Sequence, residues 1–90
     1  MKCELCEREH LLTFHHLIPR TLHSNKWFKK NFTREEMNKG IDICKDDCHK
    51  QIHKLISEKE LGKNYNTKEK LLRHYQVKKY IKWLQKRDNK

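Results

Sequence analysis

Glycine occurs only twice and proline once in this 90-residue sequence. That scarcity excludes glycine-rich linkers, low-complexity tracts and collagen-like repeats, and no internal repeat is visible. Long apolar runs are missing as well. No stretch approaches the roughly 18 residues of a membrane span, and the opening Met-Lys-Cys-Glu-Leu-Cys lacks the apolar run of a signal peptide. A membrane partner is therefore not expected, and the chain is read as cytoplasmic. Hydrophobic residues make up only 34%, below the usual share of a globular domain. Acidic residues are in deficit, with 12 Asp and Glu against 22 Lys and Arg.

The length suits one domain, 1–90. A domain this small buries only about 60–65% of the surface its unfolded chain exposes, and the apolar share is low, so the core is thin. Small domains in that position recruit a disulfide or a metal. Four cysteines are available, in two close pairs, Cys3/Cys6 and Cys44/Cys48. Cytoplasmic thiols stay reduced, which favours metal ligation over disulfides. The net charge of +10 favours a polyanionic partner. A merely soluble lysine-rich surface is the alternative until a motif decides.

Along the chain, residues 1–6 read as a zinc knuckle and Leu11–His16 as a short strand left at Pro19. Thr21–Lys30 is a helix or an irregular connection. Thr33-Arg-Glu-Glu36 has the pattern of a capping box, with Gly40 as the helix stop. Ile41–Ile43 returns as a second strand. Asp46 and Asp47 are N-cap candidates for a helix from about Cys48 to Glu58, with Ile52, Leu55 and Ile56 on its apolar face. Asn66-Thr-Lys-Glu69 opens a further helical stretch, one kinked helix or two. Leu71, Leu72, Tyr75, Val77, Tyr80, Ile81, Trp83 and Leu84 follow at helical spacing. These aromatics are expected to clamp the C-terminal part onto the rest; a base-stacking platform is the alternative.

Structural zinc needs four thiolate or imidazole ligands in a tetrahedron. Cys3-x2-Cys6 supplies one pair and Cys44-x3-Cys48 the other, so an ion would tie the N-terminus to the second half of the chain. Seven histidines suggest a second centre. His49 and His53 lie four apart on the expected helix, about 40° past one full turn, and so share a face. His15 would complete three protein ligands, leaving positions open for water and substrate as catalytic metal sites do.

In this order, Cys-x2-Cys, then His15-His16-Leu-Ile-Pro19, then Ile43-Cys44-x3-Cys48-His49-x3-His53 resembles the HNH endonuclease motif over about residues 3–56. The resemblance implies an α+β, zinc-stabilised domain with a ββα-metal, treble-clef-like core (3–56) and a C-terminal helical extension (57–90). It implies that His16 is the general base that activates water and that His15, His49 and His53 hold a catalytic divalent ion. The His-His form looks like the colicin nuclease variant. It also implies an Asn that steadies the loop beside the base. That slot is Lys39 here, and Asn38, one residue off, is the candidate. Arg20 could hold a phosphate bidentately, and His23 is close enough in sequence to assist.

The implied activity is metal-dependent hydrolysis of DNA, duplex most of all, leaving 5′-phosphate and 3′-hydroxyl ends. Three imidazoles favour Zn²⁺, Ni²⁺ or Mn²⁺ over Mg²⁺. A non-enzymatic zinc-finger module that binds nucleic acid is the competing reading, and a zinc-stapled protein adaptor a third. His10 and His74 carry no signal.

Overall fold

Two strands pair antiparallel at the centre: β1 (Leu12–His16) and β2 (Gly40–Cys44), with Leu12 opposite Cys44, His15 opposite Ile41 and His16 opposite Gly40. The chain is seen in a computed structural model that describes residues 2–88; Met1 and residues 89–90 of the expected domain lie outside them. Among the described residues this two-stranded sheet is joined by six α-helices, which makes a small α+β chain. No helix is long and apolar enough to cross a membrane.

The connection between the strands carries a 3-10 turn (Arg20–Leu22), α1 (Lys26–Asn31) and α2 (Arg34–Met37). Local chemistry accounts for both helix starts. The Asn25 side chain accepts from the amides of Trp27 and Phe28. At α2 the Thr33 hydroxyl accepts from the Glu36 amide at 3.1 Å while the Glu36 carboxylate accepts from the Thr33 amide at 2.9 Å. This is the expected reciprocal capping box. Gly40, expected to stop this helix, instead opens β2, because α2 already ends at Met37 with Asn38 as its cap. A Cβ on Gly40 would strike the Phe14 ring and the His15 carbonyl, so a residue without a side chain is needed there for a close approach rather than for a turn.

After β2 the chain enters a π-helical turn (Lys45–His49) that runs into α3 (Lys50–Leu55). The cap is the Cys44 sulfur, which accepts from the Cys48 amide at 3.2 Å. Asp46 and Asp47 lie in the first turn and do not cap it. The helix also stops short of Glu58, because Ser57 caps a new helix, α4 (Glu58–Asn64). Thr67, rather than Asn66, caps α5 (Lys68–Arg73), and His74 separates it from α6 (Tyr75–Asp88). The expected capping pair Asn66/Glu69 is thus displaced by one residue, and the Asn66 amide donates to the Gly62 carbonyl instead.

The main core gathers Ile41, Ile43, Ile52, Ile56, Leu61, Leu71, Val77, Ile81 and Leu84 around the four cysteines. A smaller cluster of Ile18, Phe28 and Met37 lies under the connection. The expected aromatic clamp is corrected here. Of the three aromatics of α6 only Tyr80 packs against the core, beside the aliphatic Val77, Ile81 and Leu84 that hold the helix down, while Tyr75 is 74% and Trp83 54% exposed.

Gly62 supports the smaller cluster. A Cβ there would lie 2.7 Å from the Phe28 ring and 3.0 Å from Leu22 Cδ1. Gly62→Ala gains about 1 kcal/mol of helix propensity but overpacks Phe28 at a cost of about 1–3 kcal/mol. The expected outcome is a net loss, read as a fall in melting temperature of roughly 4–8 °C per kcal/mol. An unchanged or raised melting temperature would show that Phe28 moves aside freely.

Candidate metal centres

The cysteine centre is built from two tight turns. In the first, the amides of Leu5 and Cys6 both donate to Cys3 Sγ at 3.4 Å. In the second, the π-helical turn brings Cys48 back over Cys44, so the x3 spacing closes the turn that an x2 spacing closes elsewhere. All four cysteines are buried and unbridged, and their sulfurs lie within 4.8 Å of one another. Cys6 Sγ and Cys44 Sγ stand 3.9 Å apart, close to the edge of a tetrahedron with Zn–S bonds of about 2.3 Å. The four cysteines could hold a structural metal ion such as zinc.

Protonation fits the same conclusion. A hydrogen bond from the Cys48 thiol, helped by backbone amides, draws Cys3 down to about 4. Cys48 is pushed up by that bond and by burial, and Cys44 is pushed up mainly by burial. Four sulfurs this close cannot all ionise beside one another without a cation. A divalent ion held here would supply the missing charge, since the thiolate is the metal-binding form.

The histidine centre takes one residue from β1 and two from the turn and helix that follow β2. His15 is 1% exposed. Its ring is edge-on to His49 at 5.1 Å and to His53 at 5.3 Å between centroids, and the last two are 4.9 Å apart. One ring nitrogen from each lies within 4.8 Å of the others. Strand β1 delivers His15, and one turn of helix from His49 to His53 delivers the pair. Burial first, then the neighbouring imidazoles, hold His15 down at about 3. Burial and His53 lower His49 as well. Neutral imidazole is the form that ligates a metal. His15 Nε2 is buried and has no hydrogen-bond partner, a costly state for a polar atom unless something binds it.

His16 points elsewhere, as alternation along a strand requires. It is partly exposed, and its ring is edge-on to Phe14 at 4.9 Å and to His23 at 5.6 Å. Partial burial, then His23 and Arg20, lower its pKa. His23 is fixed by a 2.8 Å hydrogen bond between its Nε2 and the Ile18 carbonyl. Arg20 is exposed at the start of the 3-10 turn. Asn38 is exposed at the end of α2 and lines a hollow shared with His23. Its side chain makes no hydrogen bond among the described residues. The loop leaving β1 is held by main chain instead: the Leu17 amide donates to the Lys39 carbonyl at 3.1 Å.

Uncharacterized protein YisB of Bacillus subtilis (strain 168) is 34% identical to this chain over 85 residues, which is 93% of the chain and 73% of YisB. The chain belongs to the YisB family. No family model matches it, and no solved structure matches it. The span aligned with YisB is long enough to take in His15, His16, His49 and His53 wherever its ends fall.

This YisB-family chain has a second layer that sequence reasoning passed over. The Arg8 guanidinium donates to Cys6 Sγ at 3.3 Å, to Cys44 Sγ at 3.7 Å and to the Asp47 carboxylate at 2.6 Å. It sets a positive charge against both sulfurs and pins the π-helical turn through Asp47. Gln85 of α6 donates to the Cys6 carbonyl at 2.9 Å, which ties the last helix to the knuckle. A cation two residues beyond a thiolate was the available signal for Arg8; nothing in the sequence points to Gln85.

Proposed function

We propose that this chain is a metal-dependent endonuclease of the HNH type that hydrolyses DNA phosphodiester bonds. The observation that carries the reading is the buried, unpartnered His15 Nε2 facing His49 and His53, with His16 on the adjacent strand position turned to a different surface. A histidine buried for packing alone would find a hydrogen-bond partner. The order strand, long connection, strand, helix supports a ββα-metal reading, in which zinc on the four cysteines would fix the start of the metal-bearing helix and α4 to α6 would be the C-terminal extension.

His15, His49 and His53 would hold the catalytic ion, most readily Zn²⁺, Ni²⁺ or Mn²⁺. Such an ion, when bound, polarises a phosphate and stabilises the leaving oxygen. His16 takes a proton from water at a ring nitrogen. Phe14 and His23 brace its ring on two sides, and bracing holds a general base in reach of its water. Arg20 stands near enough to His16 to affect its charge and offers a planar donor pair for a phosphate oxygen. The excess of basic residues, 22 against 12 acids, raises the local concentration of a polyanion.

The test is conversion of supercoiled plasmid to nicked or linear forms by zinc-loaded protein supplied with Mn²⁺, Ni²⁺ or Mg²⁺. Cleavage that requires the added ion and stops with chelator is expected. DNA binding without cleavage under every ion would overturn the enzyme and leave the zinc-stabilised binding module.

A further inference from the structure

We infer that the outward face of α6, centred on Tyr75, Lys79, Lys82, Trp83 and Lys86, is a docking surface for single-stranded DNA. At about 100° per residue, the helix turns Val77, Ile81 and Leu84 into the core, which leaves the five named residues on the opposite side. The helix has no acidic residue from Tyr75 to Arg87. Its two largest exposed rings, Tyr75 and Trp83, are 74% and 54% accessible. Each has a cation beside it: Lys79 Nζ lies 6.0 Å from the Tyr75 ring centre and Arg87 Cζ lies 5.0 Å from that of Trp83. Arg87 also reaches toward Asp47 at 3.8 Å, so the lysines carry most of the uncommitted charge. Between the rings, α3 contributes Gln51 and Leu55 to a shallow hollow.

The choice of partner follows from what each would use. Duplex phosphates or an acidic peptide would use the lysines and leave the rings exposed to water without purpose. A lipid surface needs an apolar face, and the apolar face of α6 is already buried in the core. An unpaired strand uses both features, because its bases stack on aromatic rings while its phosphates lie along the cations between them. The two residues stand about 12 Å apart along the helix axis at 1.5 Å of rise per residue.

On α3, Gln51 and Leu55 face α6, and His49 and His53 lie roughly opposite them around the helix. The strand is thus held on the other side of α3 from the histidine centre, and holding is separable from cutting. Naming DNA rather than RNA rests on the nuclease reading; the docking itself does not.

The experiment uses the full chain with its cysteine metal in place and chelatable ions withheld from the histidines. Trp27→Phe leaves Trp83 as the single reporter, since the chain has two tryptophans. Binding of a thymidine oligomer should quench Trp83 emission. Fluorescence anisotropy of an end-labelled thymidine oligomer reads the variants that lack Trp83: Trp83→Ala should weaken binding by roughly 5- to 150-fold, the loss of one base–aromatic stack, and Trp83→Phe should recover most of it. Replacing Lys79, Lys82 and Lys86 by Gln should flatten the salt dependence by about 0.7 log units per log unit of salt for each phosphate no longer neutralised. Trp83 is largely solvent-exposed, so the fold should survive these changes, and circular dichroism checks it. Equal affinity in Trp83→Ala, or tighter binding of blunt duplex than of the oligomer, overturns the proposal. Tighter binding of a uridine oligomer than of the thymidine one overturns the choice of DNA. A chain that binds the oligomer through Trp83 yet never cuts plasmid defeats the nuclease reading alone. One that cuts plasmid while ignoring Trp83→Ala defeats this proposal alone.

Discussion

Cys6→Ser and Cys44→Ser should each leave the chain largely unfolded, and chelation that strips the cysteine metal should do the same to the parent. The sulfurs sit inside the main core, and Cys3, Cys6, Cys44 and Cys48 are each no more than 2% exposed. They join the N-terminal knuckle to the turn that launches α3, and Gln85 extends the tie to α6. Losing one ligand therefore loosens three parts of the chain together. Structural zinc contributes about 10–16 kcal/mol in finger peptides, which matches or exceeds the whole net stability of about 5–15 kcal/mol for an ordinary domain. A core drawn from 34% hydrophobic residues has little to put in its place. Far-UV circular dichroism and thermal melts with and without zinc measure the effect. Cooperative, native-like melts in both serine variants would show that packing alone carries the fold.

The features legible in the sequence are those written in short-range chemistry. Thr33 and Glu36 announce their capping box three residues apart, and the run Leu11–His16 left at Pro19 announces a strand. The two cysteine pairs could be matched because ligand spacing follows from one tetrahedron. What stayed hidden depends on the third dimension or on competing caps. Ser57 outcompetes the continuation of α3, so an apolar face running to Ile56 broke where periodicity alone would continue it. The Cys44 sulfur took the capping role from Asp46 and Asp47, because the π-helical turn brings the Cys48 amide onto it. Apolar spacing along α6 could not tell Ile81 and Leu84, which face the core, from Tyr75 and Trp83, which face water. Aromatic residues satisfy helical periodicity on either side, and only the packing of α3 against α6 decides. Gly40 read as a helix stop because glycine serves both ends and crowded strands; the Phe14 ring lying across it is a long-range fact.

His16→Ala should lower plasmid nicking by about 10²–10⁴ and leave the affinity of the histidine centre for Ni²⁺ or Mn²⁺ unchanged. The reason is positional. His16 faces Phe14 and His23 and contributes no donor to the His15, His49 and His53 cluster. His53→Ala should behave differently, because it removes one of three nitrogens that converge within 4.8 Å. Metal affinity and activity should then fall together, by more than the roughly 10–100-fold that loss of an outer-shell partner costs, and excess ion should partly restore cutting. The control is His10→Ala, which is exposed and outside both centres. His74 is unsuited to that purpose, since its Nδ1 accepts from the Val77 amide at 3.4 Å and its ring packs edge-on to Tyr65. All three variants should keep the cysteine metal and the parent's far-UV spectrum, because the cysteine cluster shares no ligand with the histidine one. Calorimetric titration gives the affinities and gel densitometry gives the rates. Parental nicking by His16→Ala would remove the general base from the mechanism. Loss of metal in His16→Ala with retention in His15→Ala would exchange the two adjacent roles, and the backbone alternation that separates the rings would then have to break at His15.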